Sequence, residues 1–259
     1  MKFRVLCSTT VILPLLFILI TVLVPPPVIA QADARAVISR MEKKLRGKSS
    51  RARMMIRIKR PRYTRTMVLD SWEVKKNKRS FIRILRPRKD RGIAFLKWGV
   101  NLWQYIPRIG REIKIEGSLM HDSWMGSDFT NDDLVRASSI LDDYNHRLAS
   151  SPEPGVYRVE LIPKPNAPVS WSKVVADVRK KDFMPLRQMF YDHRGRLRKQ
   201  MEFSHFRRMG GRLIPTRYVM YSIRRGVKRS STEMRFLKVR FDLHIPAGIF
   251  SKSNLRRRR

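Results

Sequence analysis

Hydrophobic and polar side chains alternate along most of this chain. In residues 51–60, Met54, Ile56 and Ile58 fall on one side of an extended strand, while arginines and lysines dominate the other side. The same alternation recurs in five further segments of the first half, residues 63–75, 80–86, 93–98, 102–106 and 111–115. A period of two residues interrupted by short polar turns predicts antiparallel strands joined by hairpins.

The second half of the chain repeats this pattern. It contains six more alternating segments, residues 156–162, 173–179, 185–191, 197–206, 212–224 and 232–244. Turn-forming pairs such as Gly210-Gly211 and Arg225-Gly226 separate them. Strands with one apolar face and one cationic face, connected by short hairpins, favour a single curved antiparallel sheet or barrel.

Two regions depart from the strand pattern. Near the start, apolar residues at helical spacing predict one helix with Asp33 as its N-cap and Gly47 at its end; they are Ala34, Val37, Ile38, Met41 and Leu45. In the middle, residues 130–133 look like the start of a short helix, and residues 138–148 predict a second. The chain is therefore expected to be mainly β, in the α+β class, with an N-terminal helix and a mid-chain helical insertion.

The first 32 residues predict a signal peptide. Lys2 and Arg4 precede an apolar run over residues 5–24, and three prolines and an Ala-Gln-Ala sequence ending at Ala32 follow. Cleavage is expected after Ala32 or after Ala30, with an uncleaved membrane anchor as the alternative. Residues 33–259 have no internal repeat or linker, which predicts one domain, and the leader predicts that this domain is exported.

Charge and cysteine content restrict the function. The formal net charge is +36, so the partner is expected to be anionic. An exported protein meets little nucleic acid, so an anionic membrane surface or an acidic protein is the better expectation, and nucleic acid is not expected as a partner. Cys7 is the only cysteine and lies in the leader, which excludes a disulfide framework and a cysteine-based metal site.

An acidic island over residues 126–134 stands out in this basic chain. A calcium loop is disfavoured because its ligand spacing does not match, and a catalytic carboxylate pair is disfavoured because adjacent Asp132 and Asp133 point apart. The simplest interpretation is helix capping by Asp128 or Thr130, with Phe129 and Leu134 packing on the sheet. The residues assigned to this motif are Gly126, Ser127, Asp128, Thr130, Asn131, Asp132 and Asp133. The five histidines are scattered and no nucleophile or phosphate-loop motif is present, so the sequence predicts no catalytic residue, no metal and no cofactor.

Several segments resemble a known family. Residues 88–96, 101–107, 111–115 and 123–134, the last containing Trp-Met-Gly-Ser-Asp-Phe-Thr-Asn-Asp-Asp-Leu, resemble the outer membrane lipoprotein-sorting protein family. Its members are similar to the LolA and LolB lipoprotein carriers of Gram-negative bacteria, and the motif marks the LolA-like branch. The resemblance implies a half-open antiparallel β-barrel, closed on one side by helices, whose apolar cavity holds acyl chains.

The resemblance implies a set of cavity candidates among the apolar residues of the first half. They are Leu69, Trp72, Phe81, Ile84, Phe95, Leu96, Trp98, Trp103, Tyr105, Trp124 and Phe129. Each could equally be core packing, because sequence alone does not separate a lining residue from a core residue.

Three functions remain open at this point. The first is a non-catalytic periplasmic carrier or acceptor that binds acyl chains of lipoproteins or related lipids and exchanges them with an inner-membrane transporter. The second is an adaptor subunit of an envelope lipid-transport complex, with a packed barrel. The third is an enzyme acting on lipid or glycan.

Overall fold

The computed structural model describes residues 33–136, 140–151, 153–167 and 169–257, so the predicted signal peptide lies outside the described residues. These residues form thirteen strands: β1 Ser49–Arg60, β2 Tyr63–Val74, β3 Arg79–Arg86, β4 Ala94–Trp98, β5 Asn101–Ile106, β6 Arg111–Ile115, β7 Tyr144–Ala149, β8 Val156–Pro163, β9 Lys173–Arg179, β10 Pro185–Tyr191, β11 Leu197–Met209, β12 Arg212–Arg224 and β13 Val227–Phe241. The helices are α1 Ala34–Leu45, α2 Asn131–Arg136 and α3 Lys252–Arg256. Every described helix is too short or too polar to cross a lipid bilayer.

All thirteen strands belong to one sheet. Their order is β6-β5-β4-β3-β2-β1-β13-β12-β11-β10-β9-β8-β7, and each neighbouring pair is antiparallel. Pairing of β1 with β13 joins the two halves of the chain, while β6 and β7 are the two edges. The predicted fold, a single curved antiparallel sheet left open rather than closed, is confirmed.

Helix α1 forms as its sequence pattern predicts. The carboxylate of Asp33 accepts a hydrogen bond from the backbone N–H of Arg35 at 3.0 Å, which caps the first turn. Val37, Ile38 and Met41 are almost fully buried against β7, β8 and β9. Gly47 follows the helix at a point where the backbone lies close to Asp242. A Cβ at this position would lie 2.6 Å from a carboxylate oxygen of Asp242, so a larger residue would clash.

The sheet buries side chains on both faces. On its inner face, two apolar clusters form, one beneath β1 to β5 and one between α1 and strands β7 to β9. On the outer face of β3 to β5, the C-terminal segment over residues 245–256 covers a third cluster, with Phe250 and Leu255 buried. The indole N–H of Trp98 donates to the backbone oxygen of Phe250 at 2.8 Å, which fixes this segment to the sheet.

One sequence prediction is wrong in this region. A second helix was expected over residues 138–148, but Tyr144–Ala149 is strand β7, paired with β8 along its length. Tyr144 is buried against α1, and Leu148 packs against the same cluster. The tertiary pairing and this burial outweigh the weak local helical pattern.

Candidate functional site

A cavity of about 400 Å³ lies on the inner face of the sheet. It opens between the two inner clusters, since Met54, Ile56 and Leu69 line it from one side and Met41 and Val174 from the other. Its size falls within the range of about 300–1,000 Å³ that is usual for small-molecule pockets.

Aromatic and methionine side chains are the largest group among the lining residues. The methionines are Met41, Met54, Met201, Met220 and Met234. The aromatic residues are Trp72, Trp124, Phe129, Tyr144, Trp171, Phe190, Phe203, Tyr218, Phe236 and Phe241. Methionine side chains are unbranched and flexible, so this wall can adapt to irregular shapes.

One part of the wall is polar. Nε of Arg46 lies 3.2 Å from a carboxylate oxygen of Glu42, and its Nη1 lies 3.0 Å from Glu73. Burial alone lowers the pKa of Arg46, but the carboxylates of Glu73 and Glu42 outweigh it and the pKa is raised, so the guanidinium stays charged. Burial also raises the pKa of Tyr218, which keeps its phenol neutral and able to donate a hydrogen bond. The wall therefore offers a hydrogen-bonding patch here, and Lys97 and Gln188 add further polar positions to the lining.

The acidic island belongs to a strap that connects the two edges of the sheet. The chain leaves edge strand β6 after Ile115 and enters the opposite edge strand β7 at Tyr144. We call residues 116–136 the strap. Its residues Trp124, Phe129 and Leu134 line the cavity.

Asp128 ties this strap to the middle of the sheet. The hydroxyl groups of Ser222, Ser230 and Thr232, on β12 and β13, donate to its carboxylate at 2.6, 2.5 and 2.7 Å, and Arg60 adds an ion pair at 2.9 Å. Burial raises the pKa of Asp128, but these hydrogen bonds outweigh that effect and the pKa is lowered. The carboxylate is thus an ionised structural anchor with its acceptor positions occupied.

Two further aspartates make separate contacts with the rest of the domain. The carboxylate of Asp132 accepts a hydrogen bond from the Ser170 hydroxyl at 2.9 Å, and that of Asp133 lies 3.3 Å from Nζ of Lys199. Asp133 also accepts from the backbone N–H of Thr130 at 2.8 Å, while the Thr130 hydroxyl accepts from the Asp133 N–H at 3.1 Å. This reciprocal pair is a capping box, so the cap of α2 is Thr130 and not Asp128.

The other motif residues shape the strap. Gly126 has a φ of +76°, a left-handed conformation that favours glycine, and its carbonyl accepts from Arg60 at 2.6 Å. Ser127 and Asn131 bond to backbone carbonyls of Phe129 and Leu119. Among the described residues, no three or more histidine, cysteine, aspartate and glutamate side chains come together as metal ligands.

The candidate residues from the first half separate into three groups. Leu69, Trp124 and Phe129 line the cavity. Trp72 borders it, but its ring lies 5.7 Å from that of Phe81 and packs against the outer cluster. Ile84 and Phe95 lie in the inner core without lining it. The remaining five belong to the outer cluster under the C-terminal segment: Phe81, Leu96, Trp98, Trp103 and Tyr105.

Strand register explains why those five lie outside the cavity. Phe81 pairs with Leu96, and Leu96 pairs with Trp103, so the three side chains share one face of the sheet. Leu69 pairs with Ile84 on the other face. Their expected position at the cavity is corrected accordingly.

Sequence reasoning missed most of the lining from the second half of the chain. Phe203 on β11 pairs with Tyr218 on β12, and Tyr218 pairs with Met234 on β13. These strands alternate between apolar and charged positions, and the many charged residues mask the apolar positions that face the cavity. A search for aromatic and methionine residues at every second position would have identified this wall.

Comparisons with known proteins agree with this geometry. A family model with the description "uncharacterized protein" matches residues 76–257. A comparison with curated protein sequences gives no match. Among solved structures, a DUF1329 family protein from Desulfovibrio piger is 25% identical, with a TM-score of 0.77 over 86% of this chain and 97% of that one.

Two further crystal structures share the fold. A domain assigned as an outer membrane lipoprotein-sorting protein from Vibrio parahaemolyticus is 24% identical, with a TM-score of 0.74 over 86% of this chain and 98% of that one. A LolA superfamily protein from Nitrosomonas europaea is 23% identical, with a TM-score of 0.71 over 86% of this chain and 100% of that one. Because the family model covers more than half of the chain, the protein belongs to that family of uncharacterized proteins, and it has the fold of the LolA-like lipoprotein-sorting proteins.

Proposed function

We propose that this protein is a non-catalytic periplasmic carrier or acceptor that binds the acyl chains of lipoproteins or related lipids and helps to sort them to the outer membrane. The observation that carries the proposal is the apolar cavity of about 400 Å³ on the inner face of the sheet. The lipoprotein-sorting protein and the LolA superfamily protein that share its fold support the same class of cargo.

The energetics of acyl transfer fit such a cavity. Each methylene removed from water contributes about 0.8 kcal/mol, so sheltering ten methylenes contributes roughly 8 kcal/mol. The same burial is available in a membrane, and the direction of transfer therefore depends on relative affinity along the route. An adaptable lining such as that around Met201 and Met234 permits binding and release without a chemical step.

The contacts within the strap argue against the enzymatic alternative. Asp128 is the most enclosed acid of the motif, and it is held by three hydroxyl groups and Arg60. Asp132 and Asp133 point to different partners, Ser170 and Lys199. The open interior likewise favours a carrier over an adaptor with a packed barrel.

A cavity-filling substitution tests the proposal. Met234 lines the cavity from β13 and is partly buried, so Met234→Trp should occupy the space where an acyl chain would lie. We expect the affinity for a fluorescent fatty acid, measured by titration, to fall at least about tenfold. Leu237→Trp is the matched control, because Leu237 lies on the same strand and is 51% exposed.

Native mass spectrometry supplies the independent measurement. Protein purified without detergent should carry lipid, and Met234→Trp should carry less while its thermal unfolding still matches that of Leu237→Trp. If the wild-type protein carries no lipid and takes up none from vesicles, the carrier proposal is wrong.

A further inference from the structure

A second cleft, of about 920 Å³, lies beside the apolar cavity. Five cationic side chains line it: Arg198, Lys199, Arg224, Arg225 and Arg229. His121, Thr130, Ser170 and Ser222 complete the polar lining, and Asp192 is its single acid. The hydroxyl protons of Ser170 and Ser222 are already donated to Asp132 and Asp128, so the five cationic side chains are the main donors available to a ligand. This composition suits an anion with several oxygen acceptors, such as a phosphate group.

Most of the positive charge in the cleft is not neutralised by the protein. Asp192 is engaged by Arg196 at 2.8 Å, with Arg198 at 3.9 Å, and Lys199 faces Asp133. Across the described ranges, Arg224, Arg225 and Arg229 form no ion pair with an acid. They are exposed and lie at or near one hairpin, the turn between β12 and β13, so they repel one another unless an anion is present.

The cleft and the cavity share a wall. Ser170 and Trp171 line both spaces, and Nζ of Lys199 lies 5.3 Å from the Trp171 ring. A molecule with its tail in the cavity and its other end at the arginines would have to cross this shared wall at Ser170 and Trp171. This is the arrangement that an amphiphile with an apolar tail and an anionic head requires.

We propose that the cleft binds the phosphate headgroup of an anionic lipid whose acyl chains occupy the cavity. This inference rests on the proposed carrier function and adds the chemical class of the cargo. It assigns Arg224, Arg225 and Arg229 to headgroup selection and the aromatic and methionine wall to tail binding.

The test compares two lipids with identical acyl chains. Binding of dioleoyl phosphatidic acid and of dioleoylglycerol is measured for the wild-type protein and for Arg224→Gln/Arg225→Gln/Arg229→Gln. We expect the wild type to prefer phosphatidic acid by roughly tenfold or more, the scale of one charge-assisted hydrogen bond, and the triple variant to lose that preference while retaining dioleoylglycerol. The matched control removes three exposed lysines from the turn between β2 and β3, at the opposite end of the sheet, as Lys75→Gln/Lys76→Gln/Lys78→Gln.

Each other outcome has a distinct meaning. Equal binding of the two lipids by the wild type would overturn the headgroup assignment but leave the carrier function intact, whereas no binding of either lipid would overturn both. Equal loss of preference in the two triple variants would show a general charge effect and refute the site. Inorganic phosphate at constant ionic strength separates the two sources of phosphate: if it binds the wild type as tightly as phosphatidic acid does, the cleft is a site for the free ion and the lipid assignment is wrong.

Discussion

Replacing Asp128 by alanine should detach the strap from the sheet. In the wild-type protein this carboxylate accepts from Ser222, Ser230 and Thr232 and pairs with Arg60. Its side chain is only 2% exposed. Alanine leaves all four donors without this acceptor, and water cannot replace it fully without opening the site.

The magnitude follows from these contacts. Removing one partner of a buried charged pair costs about 3–5 kcal/mol. The side chain of Arg60 is 19% exposed, so solvent offsets part of its loss and we expect a value near the lower end, about 3 kcal/mol. For a domain of this size, 1 kcal/mol corresponds to about 2–4 °C in Tm, so Tm should fall by about 6–12 °C.

Chemical denaturation followed by tryptophan fluorescence measures the free energy of unfolding directly. Asp122→Ala is the matched control, because Asp122 is an exposed aspartate of the same strap, and its replacement should change stability by less than about 0.5 kcal/mol. If Asp128→Ala and Asp122→Ala unfold alike, and hydrogen exchange around residues 123–130 is equally slow in both, the anchoring role assigned to Asp128 is wrong.

Three further predictions concern stability. Burial raises the pKa of Asp177, but hydrogen bonds from two arginines outweigh burial and lower this pKa in the folded state. The stabilisation from Asp177 is therefore fully present above the ordinary carboxyl pKa of about 3.9 and is lost as pH falls through the lowered value. Asp177→Asn should flatten the acid-unfolding curve in that range, and an unchanged curve would contradict this. Phe250→Ala should cost about 3–5 kcal/mol because the side chain is 3% exposed in the outer cluster, while Leu237→Ala at an exposed position should cost less than about 0.5 kcal/mol in the same denaturation assay. A double-mutant cycle on Lys199 and Asp133 should give a coupling energy of about 0.5–1 kcal/mol, since both side chains are partly shielded from solvent. A coupling energy of zero would show that this ion pair does not help to hold the strap to the sheet.

Local pattern was sufficient to predict every described strand except β7, but it did not predict the burial of both faces. The alternation that places Met54, Ile56 and Ile58 on one face of β1 depends only on the geometry of an extended chain. In β3 and β4, however, both faces are buried, because the C-terminal segment covers the outer one. No pattern within β3 or β4 identifies a covering segment that lies some 150 residues later in the chain.

The candidate site shows the same limit. Apolar residues on β2 and in the strap were proposed as cavity candidates from their side-chain type, but the face on which a strand residue lies depends on register. The acidic island was identified from composition alone, and Thr130 as a cap follows from spacing. The hydroxyl groups that hold Asp128 come from β12 and β13, roughly a hundred residues away, and no local rule predicts their convergence.

The sheet's two edge strands, β6 and β7, are not paired to each other, and the chain itself runs from one to the other. On this side, the boundary of the interior is thus set by the strap and its side-chain contacts rather than by backbone hydrogen bonds between strands. A substitution that loosens those contacts would therefore leave every described strand pair intact, and the size of the interior can be altered separately from the stability of the sheet.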